Sequence, residues 1–363
     1  MTDIELEKTQ LDTLIKHFEE LSLLKKQAGE TWRAISYEKA SRTLRELPEN
    51  EHRKFYVSTD LKGIGKSIYQ KIEEFLQKGN ISEIKKSRDD ILLNKDYLSI
   101  INSFCNVWGV GSVKAKKLYT TGYRSVDELQ ELALKEEKTG EKETFTSAQK
   151  IGLRYYDDFN KRIPRAEITR TWNRIRDLWT LKHGNIIKRL DICGSYRRGL
   201  ANSGDIDILL CYHSTVVDSS ENKPKYRNDW ILTKLVETLR EEGIVSEDLC
   251  LGKHKYMGVC KTSKHGKNKD IGRRLDILVI PQEEYAFAKL HFTGSWEFNR
   301  CIRQIALHQG KTLSEHGIKA KDTKLNLNNN VYNSEKDIFD ALGVSYIPPE
   351  LRNDKVLLPY IKS

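Results

Sequence analysis

Two aspartates one residue apart, Asp205 and Asp207, follow shortly after a Gly-Ser pair, in the segments Gly194-Ser195-Tyr196-Arg197-Arg198-Gly199 and Ser203-Gly204-Asp205-Ile206-Asp207. On a strand, residues two apart face the same side, so both carboxylates project together while Ile206 points to the opposite face. Adjacent carboxylates repel, which is costly unless a cation sits between them. Hard oxygen ligands at this spacing suit Mg²⁺ held jointly with substrate phosphates. A third carboxylate, Asp276, lies in the β-rich run Arg274-Leu275-Asp276-Ile277-Leu278-Val279-Ile280 and can serve a second ion. Two ions roughly 3.5–4 Å apart stabilise both the attacking and the leaving oxygen of an in-line phosphoryl displacement. Upstream, Gly194-Ser195 ends a strand and opens a helix, giving N–H and hydroxyl donors for triphosphate oxygens, with Arg198 as a cationic fork and Gly204 as a further backbone donor. Asp-x-Asp alone is common on solvated surface strands; the Gly-Ser turn before it and the carboxylate strand after it favour phosphoryl transfer.

The elements that position these groups can be read from periodicity. From Leu11 the apolar residues Leu14, Ile15 and Phe18 follow the spacing of a helix with one buried face, and helical texture continues to Ile175 and beyond, broken by glycine turns and by Pro48. After Lys188 the segments Arg189 to Cys193, Asp205 to Cys211 and Arg274 to Ile280 read as strands, with a helix over Ile231 to Glu242 between them. Ser214 to Asn228 and Lys261 to Gly272 are polar and read as loops. The natural break falls at Lys161-Arg162-Ile163-Pro164, where a proline interrupts helical sequence. With 363 residues, two or more packed units are expected. The net charge of +10 suggests a polyanionic partner, nucleic acid being the commonest. No apolar run approaches the roughly 18 residues of a membrane span, and Met1 to Glu5 lacks the features of a signal peptide, so a soluble intracellular protein is expected. Six cysteines without a Cys-x-x-Cys pair fit reduced thiols rather than a zinc site.

A glycine turn recurs. Leu61-Lys62-Gly63-Ile64-Gly65 and Val107-Trp108-Gly109-Val110-Gly111 each lead into a helix. Small residues allow close approach of a ligand, and the helix N-terminus favours a phosphate, so two copies on a basic helical half point to a pair of grips on nucleic-acid backbone. Neither turn follows a clear strand or supplies a third glycine, which disfavours a dinucleotide fold. On the helix after the first turn, Lys71 falls at the edge of the apolar stripe Ile64, Ile68, Ile72, Phe75 and Leu76. Desolvation there favours a neutral, nucleophilic amine able to form a Schiff base with an abasic sugar and release 5′-deoxyribose phosphate by β-elimination. Lys117 stands at the same offset from the second turn, so position alone leaves the role of Lys71 open.

Together, Gly194-Ser195, Arg198-Gly199, Gly204-Asp205-Ile206-Asp207, Arg274-Leu275-Asp276, Phe292-Thr293-Gly294-Ser295 and Phe298-Asn299 resemble a family X DNA polymerase, with the layout of its polymerase beta branch. The likeness runs almost end to end and includes Lys161 to Arg165 and Ser334 to Phe339. It implies an α+β multidomain chain: an all-helical N-terminal half with two helix-hairpin-helix motifs, a nucleotidyltransferase palm with a mixed sheet, and a C-terminal α+β subdomain. The implied divisions are a lyase-like domain over 1–90, a DNA-binding subdomain over 91–163, the palm over 164–280 and a nascent-base-pair subdomain over 281–363. No BRCT-like region is expected before the helical domain.

By the same resemblance, Asp205 and Asp207 bind both metals, and Asp276 holds the catalytic metal and helps activate the primer 3′-hydroxyl. Arg162, Ser195, Arg198, Ser203 and Gly204 belong to the nucleotide site, as do His291, Phe292, Gly294, Ser295 and Asn299. Lys71 matches the lyase nucleophile. Tyr37, Gly63, Gly65, Gly109, Gly111, Arg274 and Arg303 touch DNA. The implied cofactors are two Mg²⁺ ions, for which Mn²⁺ can substitute, with monovalent cations at the hairpins. The implied partners are gapped or nicked primer-template DNA and deoxynucleoside triphosphates, bound by a monomer in a nuclear, other intracellular or viral setting that contains DNA. Three positions depart from polymerase beta: His291 stands for a tyrosine, Trp296 for a small polar residue and Leu278 for an arginine. Around Lys71, Trp32, Thr59 and Ser67 replace basic or imidazole side chains, and Arg33 and Lys66 lie near enough in sequence to compensate. The expected activity is template-directed filling of short gaps in base excision repair, with lyase activity at Lys71. Two other classes share parts of the pattern, a tRNA-terminus or polyadenylating nucleotidyltransferase and a non-catalytic DNA-binding protein. The paired hairpins and Thr293-Gly294-Ser295 speak against the first and the three aspartates against the second.

Overall fold

A computed structural model of the protein describes residues 3–47, 64–93, 95–140, 143–213, 227–261, 271–321 and 332–353. Gly63, Pro48, Thr59 and most of the two polar segments read as loops lie outside the described residues. The chain divides into two compact units, Met1–Glu131 and Leu132–Ser363.

In the first unit, α1 (Asp3–Gln27), α2 (Thr31–Arg45), α3 (Lys66–Lys78) and α4 (Ser82–Leu93) share one core. Leu11, Leu14, Ile15, Phe18 and Leu21 line the buried face of α1, meeting Tyr37, Ala40 and Leu44 of α2 and Ile68, Ile72 and Phe75 of α3. The spacing seen in the sequence is thus the buried stripe. Gly79 ends α3 in the left-handed conformation at φ 70°, where a side chain would be strained, and the chain turns back into α4. Two more helices follow, α5 (Lys95–Cys105) and α6 (Ser112–Thr120), and α7 (Val126–Thr139) carries the chain across the division.

The second unit starts helically with α8 (Ser147–Arg154) and α9 (Tyr156–Phe159). Pro164 then closes the two-residue strand β1 (Ile163–Pro164) and caps α10 (Arg165–His183), so the proline marks a helix start, where its missing N–H costs nothing. Next come β2 (Ile187–Ile192), the single-turn helix α11 (Gly194–Arg197), β3 (Asn202–Ser203) and β4 (Ile206–Tyr212). The helix α12 (Arg227–Glu241) precedes β5 (Val245–Leu251), β6 (Lys255–Lys261) and β7 (Gly272–Ile280). Among the described residues the largest sheet has five strands in the order β2-β4-β7-β6-β5, mixed because only β4 and β7 run parallel.

Strand alternation divides the sheet's residues between two cores. Ile206, Ile208 and Leu210 with Leu275, Ile277 and Val279 pack on Trp172, Ile175 and Trp179 of α10 and Leu235 and Leu239 of α12. The opposite parity, Leu209, Cys211, Leu278 and Ile280, meets Tyr285 and Ala288 of α13 (Tyr285–Thr293). A third core joins α13 to α14 (Trp296–His308), the hairpin β8 (Lys311–Ser314) and β9 (Gly317–Ala320), and α15 (Glu335–Ala341). The strands read from sequence appear within two residues of their expected ends. β5 and β6 are additions: the polar run of β5 buries only Val245 and Leu249 and carries no alternation that singles out a strand. All six cysteines are free thiols. Among the described residues no helix is long and apolar enough to cross a membrane.

Candidate active site

The register of β4 against β7 sets Asp207 directly beside Asp276. Asp205, two residues before Asp207, precedes β4 on the same parity. Asp207 is held further by its carbonyl, which accepts the Cys193 N–H at 2.8 Å. Its carboxylate points at Gly194: a Cβ built there would lie 1.8 Å from Asp207 Oδ2, and Gly194 has φ 56°. Gly194 is therefore required by the carboxylate and by the turn together, a reason the sequence did not disclose.

Three carboxylates this close are electrostatically strained. Burial, followed by the charges of Asp205 and Asp276, pushes Asp207 well above the ordinary carboxylate range. Burial also raises Asp276, with Asp205 adding to it and Lys255 opposing it. Each outer carboxylate has a cation of its own: Arg274 pairs with Asp205, and Lys255 Nζ lies 3.4 Å from Asp276 Oδ2. Among the described residues, no three acidic, histidine or cysteine side chains form a ready ligand cluster. The register sets the carboxylates side by side, with Arg274 paired to Asp205, Lys255 beside Asp276 and the Asp207 carboxylate directed at Gly194. The donor set itself, three hard oxygen ligands with one buried against like charge, fits a divalent cation.

Around this centre, Gly204 makes room for cations: a Cβ there would lie 3.2 Å from Arg162 Nη1 and 3.8 Å from Arg274 Nη2. Arg162 also donates to Asn202 Oδ1 at 2.9 Å. Ser203 is 1% exposed, and its hydroxyl is buried with no partner in the protein. Ser195 lies in α11, whose backbone follows Gly194 as the sequence anticipated. Arg198 is not a free fork: it donates to Thr293 O at 2.5 Å and to Asn353 Oδ1 at 2.8 Å, which draws α11 toward the end of α13. A Cβ on Gly294 would come within 3.1 Å of Arg198 Nη1.

In the C-terminal subdomain, Ser295 is committed to capping α14, accepting from Phe298 N at 3.2 Å. Phe292 is half-buried against the second core. His291 Nδ1 lies 3.0 Å from Arg303 Nη2 and 3.3 Å from Asn299 Nδ2, and Asn299 also donates to the His291 carbonyl at 2.7 Å. Two donors facing Nδ1 assign the proton to Nε2, and burial, the largest influence, lowers the imidazole below its ordinary value. Arg303 completes the group by pairing with Glu315 at 3.2 Å. Trp296 is 66% exposed, with the Arg300 guanidinium 5.0 Å from its ring centre.

Sequence reasoning missed Arg197, Glu335 and Arg352. Arg197 donates to Glu335 at 2.9 and 2.6 Å and also to the Thr293 hydroxyl, while fully buried Arg352 holds Glu335 Oε1 at 2.6 Å. The signals were the Arg197-Arg198 pair, of which the first carries the bridge, and the Ser334 to Phe339 segment that contains Glu335.

In the first unit, Lys71 Nζ lies 2.9 Å from Glu83 Oε2, and its side chain is 16% exposed, so the expected desolvation comes with an ion-pair partner the sequence did not reveal. Tyr37, fully packed in the core, donates its hydroxyl to the same Oε2 at 3.0 Å, and its ring lies 5.7 Å below the ammonium. Gly65 and Gly111 cap α3 and α6, and a Cβ on either meets nothing within 4 Å. The fold itself therefore leaves open space where the sequence placed a phosphate. Gly109 has φ 80°, which a glycine adopts without strain.

A Gly-Ser helical turn facing an Asp-x-Asp strand, with a third aspartate on the parallel neighbour, defines a nucleotidyltransferase palm. Residues 162–282 match the DNA polymerase beta palm, 288–353 the DNA polymerase beta thumb, 102–160 the fingers domain of DNA polymerase lambda and 12–81 a helix-hairpin-helix domain. The chain belongs to the family X DNA polymerases. It is 30% identical over 340 residues to DNA polymerase lambda of Rattus norvegicus, covering 90% of this chain and 53% of that protein. Against DNA polymerase lambda of Arabidopsis thaliana it is 30% identical over 349 residues, covering 90% of this chain and 59% of that one. It is 27% identical over 375 residues to the DNA nucleotidylexotransferase of Xenopus laevis, covering 94% and 67%. The chain thus spans only about half to two thirds of the length of these relatives.

Proposed function

We propose that this chain is a template-directed DNA polymerase that fills short gaps of the base excision repair type, acting as a monomer on gapped or nicked DNA in a DNA-containing compartment. The observation that carries this reading is the parallel register that seats Asp207 beside Asp276 with Asp205 on the same parity. Held by these three residues, two Mg²⁺ ions, or Mn²⁺ in their place, would offset the charge on the attacking and leaving oxygens of phosphoryl transfer.

The chain's own groups then have separable tasks. Asp276 stands nearest Lys255 and is the candidate to receive the primer 3′-hydroxyl proton, since burial keeps its basicity above that of an exposed carboxylate. Ser203, with an unpaired buried hydroxyl, and the Ser195 turn offer donors to triphosphate oxygens, and Arg162 offers charge. Arg274 pairs with one oxygen of Asp205, so a cation held by that same oxygen would displace Arg274. Leu278, which stands for an arginine of the family, is packed in the second core.

Primer extension tests the assignment. On a gapped duplex the wild-type chain is expected to insert the complementary deoxynucleotide and to extend poorly without a template. Full extension by an Asp205→Ala, Asp276→Ala double variant overturns it. For the first unit we propose lyase activity at Lys71, with Tyr37 shaping its pocket and the two hairpins, with their monovalent cations, gripping backbone. Borohydride trapping on an incised abasic duplex is expected to give an adduct that disappears in Lys71→Ala; an undiminished adduct removes Lys71 from the role.

Trp296 makes a distinct contribution. An exposed indole with one face against Arg300 offers its other face as a platform for a nucleobase. Base-aromatic stacking is worth about 1–3 kcal/mol. Trp296→Ala is therefore expected to raise KM for all four deoxynucleotides at least about fivefold, more for purines, with kcat little changed. Steady-state kinetics on a one-nucleotide gap reads this directly.

A further inference from the structure

We propose that Glu83 is the base that removes the C2′ proton during lyase turnover, an inference that rests on reading Lys71 as the nucleophile. Glu83 stands in the first turn of α4, brought back over α3 by the left-handed Gly79 turn. Its two oxygens have different partners. Oε1 is held by Lys25 Nζ at 3.1 Å, and Lys25, 8% exposed at its side chain, is itself tied to Glu30 at 3.2 Å. Oε2 accepts the Tyr37 hydroxyl at 3.0 Å and faces Lys71 Nζ at 2.9 Å. The carboxylate is thereby fixed by Lys25 and Tyr37 independently of Lys71, with one oxygen over the reacting nitrogen.

That position suits one step in particular. Lys71 loses a proton to water, its nitrogen adds to the C1′ aldehyde carbon of the abasic sugar, and the resulting carbinolamine takes a proton back from solvent and loses water to leave a C1′=N iminium. C2′ is then two bonds from Nζ, so an oxygen 2.9 Å from Nζ lies within reach of a C2′ hydrogen without movement of either helix. Glu83 takes that proton, the C–H electron pair forms the C2′=C3′ double bond, and the C3′–O bond breaks with its pair leaving on the phosphate oxygen. Water then hydrolyses the iminium, frees the unsaturated sugar phosphate and restores the Lys71 amine, and Glu83 gives its proton up to solvent; no oxidant or reductant is consumed.

The electrostatics change in step with the chemistry. Burial raises the Glu83 carboxyl, but hydrogen bonds from Lys71 and Lys25 outweigh it and hold the group at about 2, ionised and able to accept. Converting the ammonium to an iminium replaces three N–H donors by one. The Lys71 contribution weakens, and Glu83 becomes more basic when a base is required.

The test separates adduct formation from elimination in the full-length chain, on a duplex carrying a labelled 5′-deoxyribose phosphate end. Glu83→Gln is expected to give at least the wild-type yield of borohydride-trapped adduct while releasing sugar phosphate about a hundredfold more slowly. Glu83→Asp is expected to recover part of that rate and serves also if the amide variant does not fold. Wild-type release by Glu83→Gln, or an unchanged ratio of release to adduct in Glu83→Asp, overturns the proposal. A parallel loss of adduct and release in a folded variant does so too, since Glu83 would then only position Lys71. Failure of the underlying reading is distinguishable, because it shows in the wild type as no adduct, or in Lys71→Ala as an undiminished one.

Discussion

Asp276→Ala will slow single-nucleotide gap filling at least about a thousandfold without lowering the melting temperature of the protein. In the proposed reaction Asp276 supplies charge that matters most as the 3′-oxygen attacks, and such stabilisation is worth several kcal/mol, about 1.4 kcal/mol per factor of ten. Stability moves the other way. Asp276 is 18% exposed at its side chain, and burial and Asp205 hold its carboxyl above the ordinary range. A carboxylate whose folded-state value is raised weakens the fold at pH above that value, and the penalty fades as pH falls through it. Removing Asp276 relieves that penalty and the repulsion on Asp207. Lys255, left behind, is 44% exposed and solvated by water, so its loss of a partner costs little. Rapid-quench kinetics and thermal melting in a chelator read the two effects. A variant that loses activity because it melts early would contradict this account.

Glu335→Ala will destabilise the unit that contains it by about 3–5 kcal/mol, the range for stripping one partner from a buried ion pair. For a unit of this size that corresponds to a fall of roughly 10 °C in melting temperature. Glu335 is 6% exposed and holds two arginines, of which Arg352 is fully buried between Phe298, Phe339 and Tyr346. Removing the carboxylate strands both charges. Burial raises the Glu335 carboxyl, but the Arg197 hydrogen bond and the Arg352 charge outweigh it and leave it below the ordinary value. The stabilisation is therefore complete above the unfolded carboxylate range and is lost as pH falls through the depressed folded value. Melting curves of the wild type against Glu335→Ala should converge at low pH; a constant gap between them would show that the charge is not what matters. Activity should fall as well, because Arg197 also ties α11 to Thr293.

The central carboxylates were legible because chemistry and period coincide: Asp205 and Asp207 alternate with Ile206, which the structure buries completely. The helical half was legible for a similar reason, one apolar stripe per helix. Other features depended on contacts that no local pattern encodes. Glu83 meets Lys71 only after the Gly79 turn reverses the chain, and Glu335 meets Arg197 across 138 positions. The cleft at Gly194 is filled by an aspartate from the neighbouring strand, so the glycine that looked like a phosphate grip serves first to admit a carboxylate. Arg198 and Ser295 carried the right chemistry for a nucleotide site, yet the structure gives their donors and acceptors protein partners.

The most direct test counts cations. Mn²⁺ electron paramagnetic resonance on the wild-type chain with gapped DNA and an unreactive nucleotide triphosphate analogue is expected to show two tightly bound, spin-coupled ions. Asp276→Ala should retain one, and Asp205→Ala neither with high affinity. Two coupled ions surviving in Asp276→Ala, or a wild-type ternary complex that extends DNA once a reactive nucleotide is supplied yet never binds more than one ion, would contradict the assignment of this site.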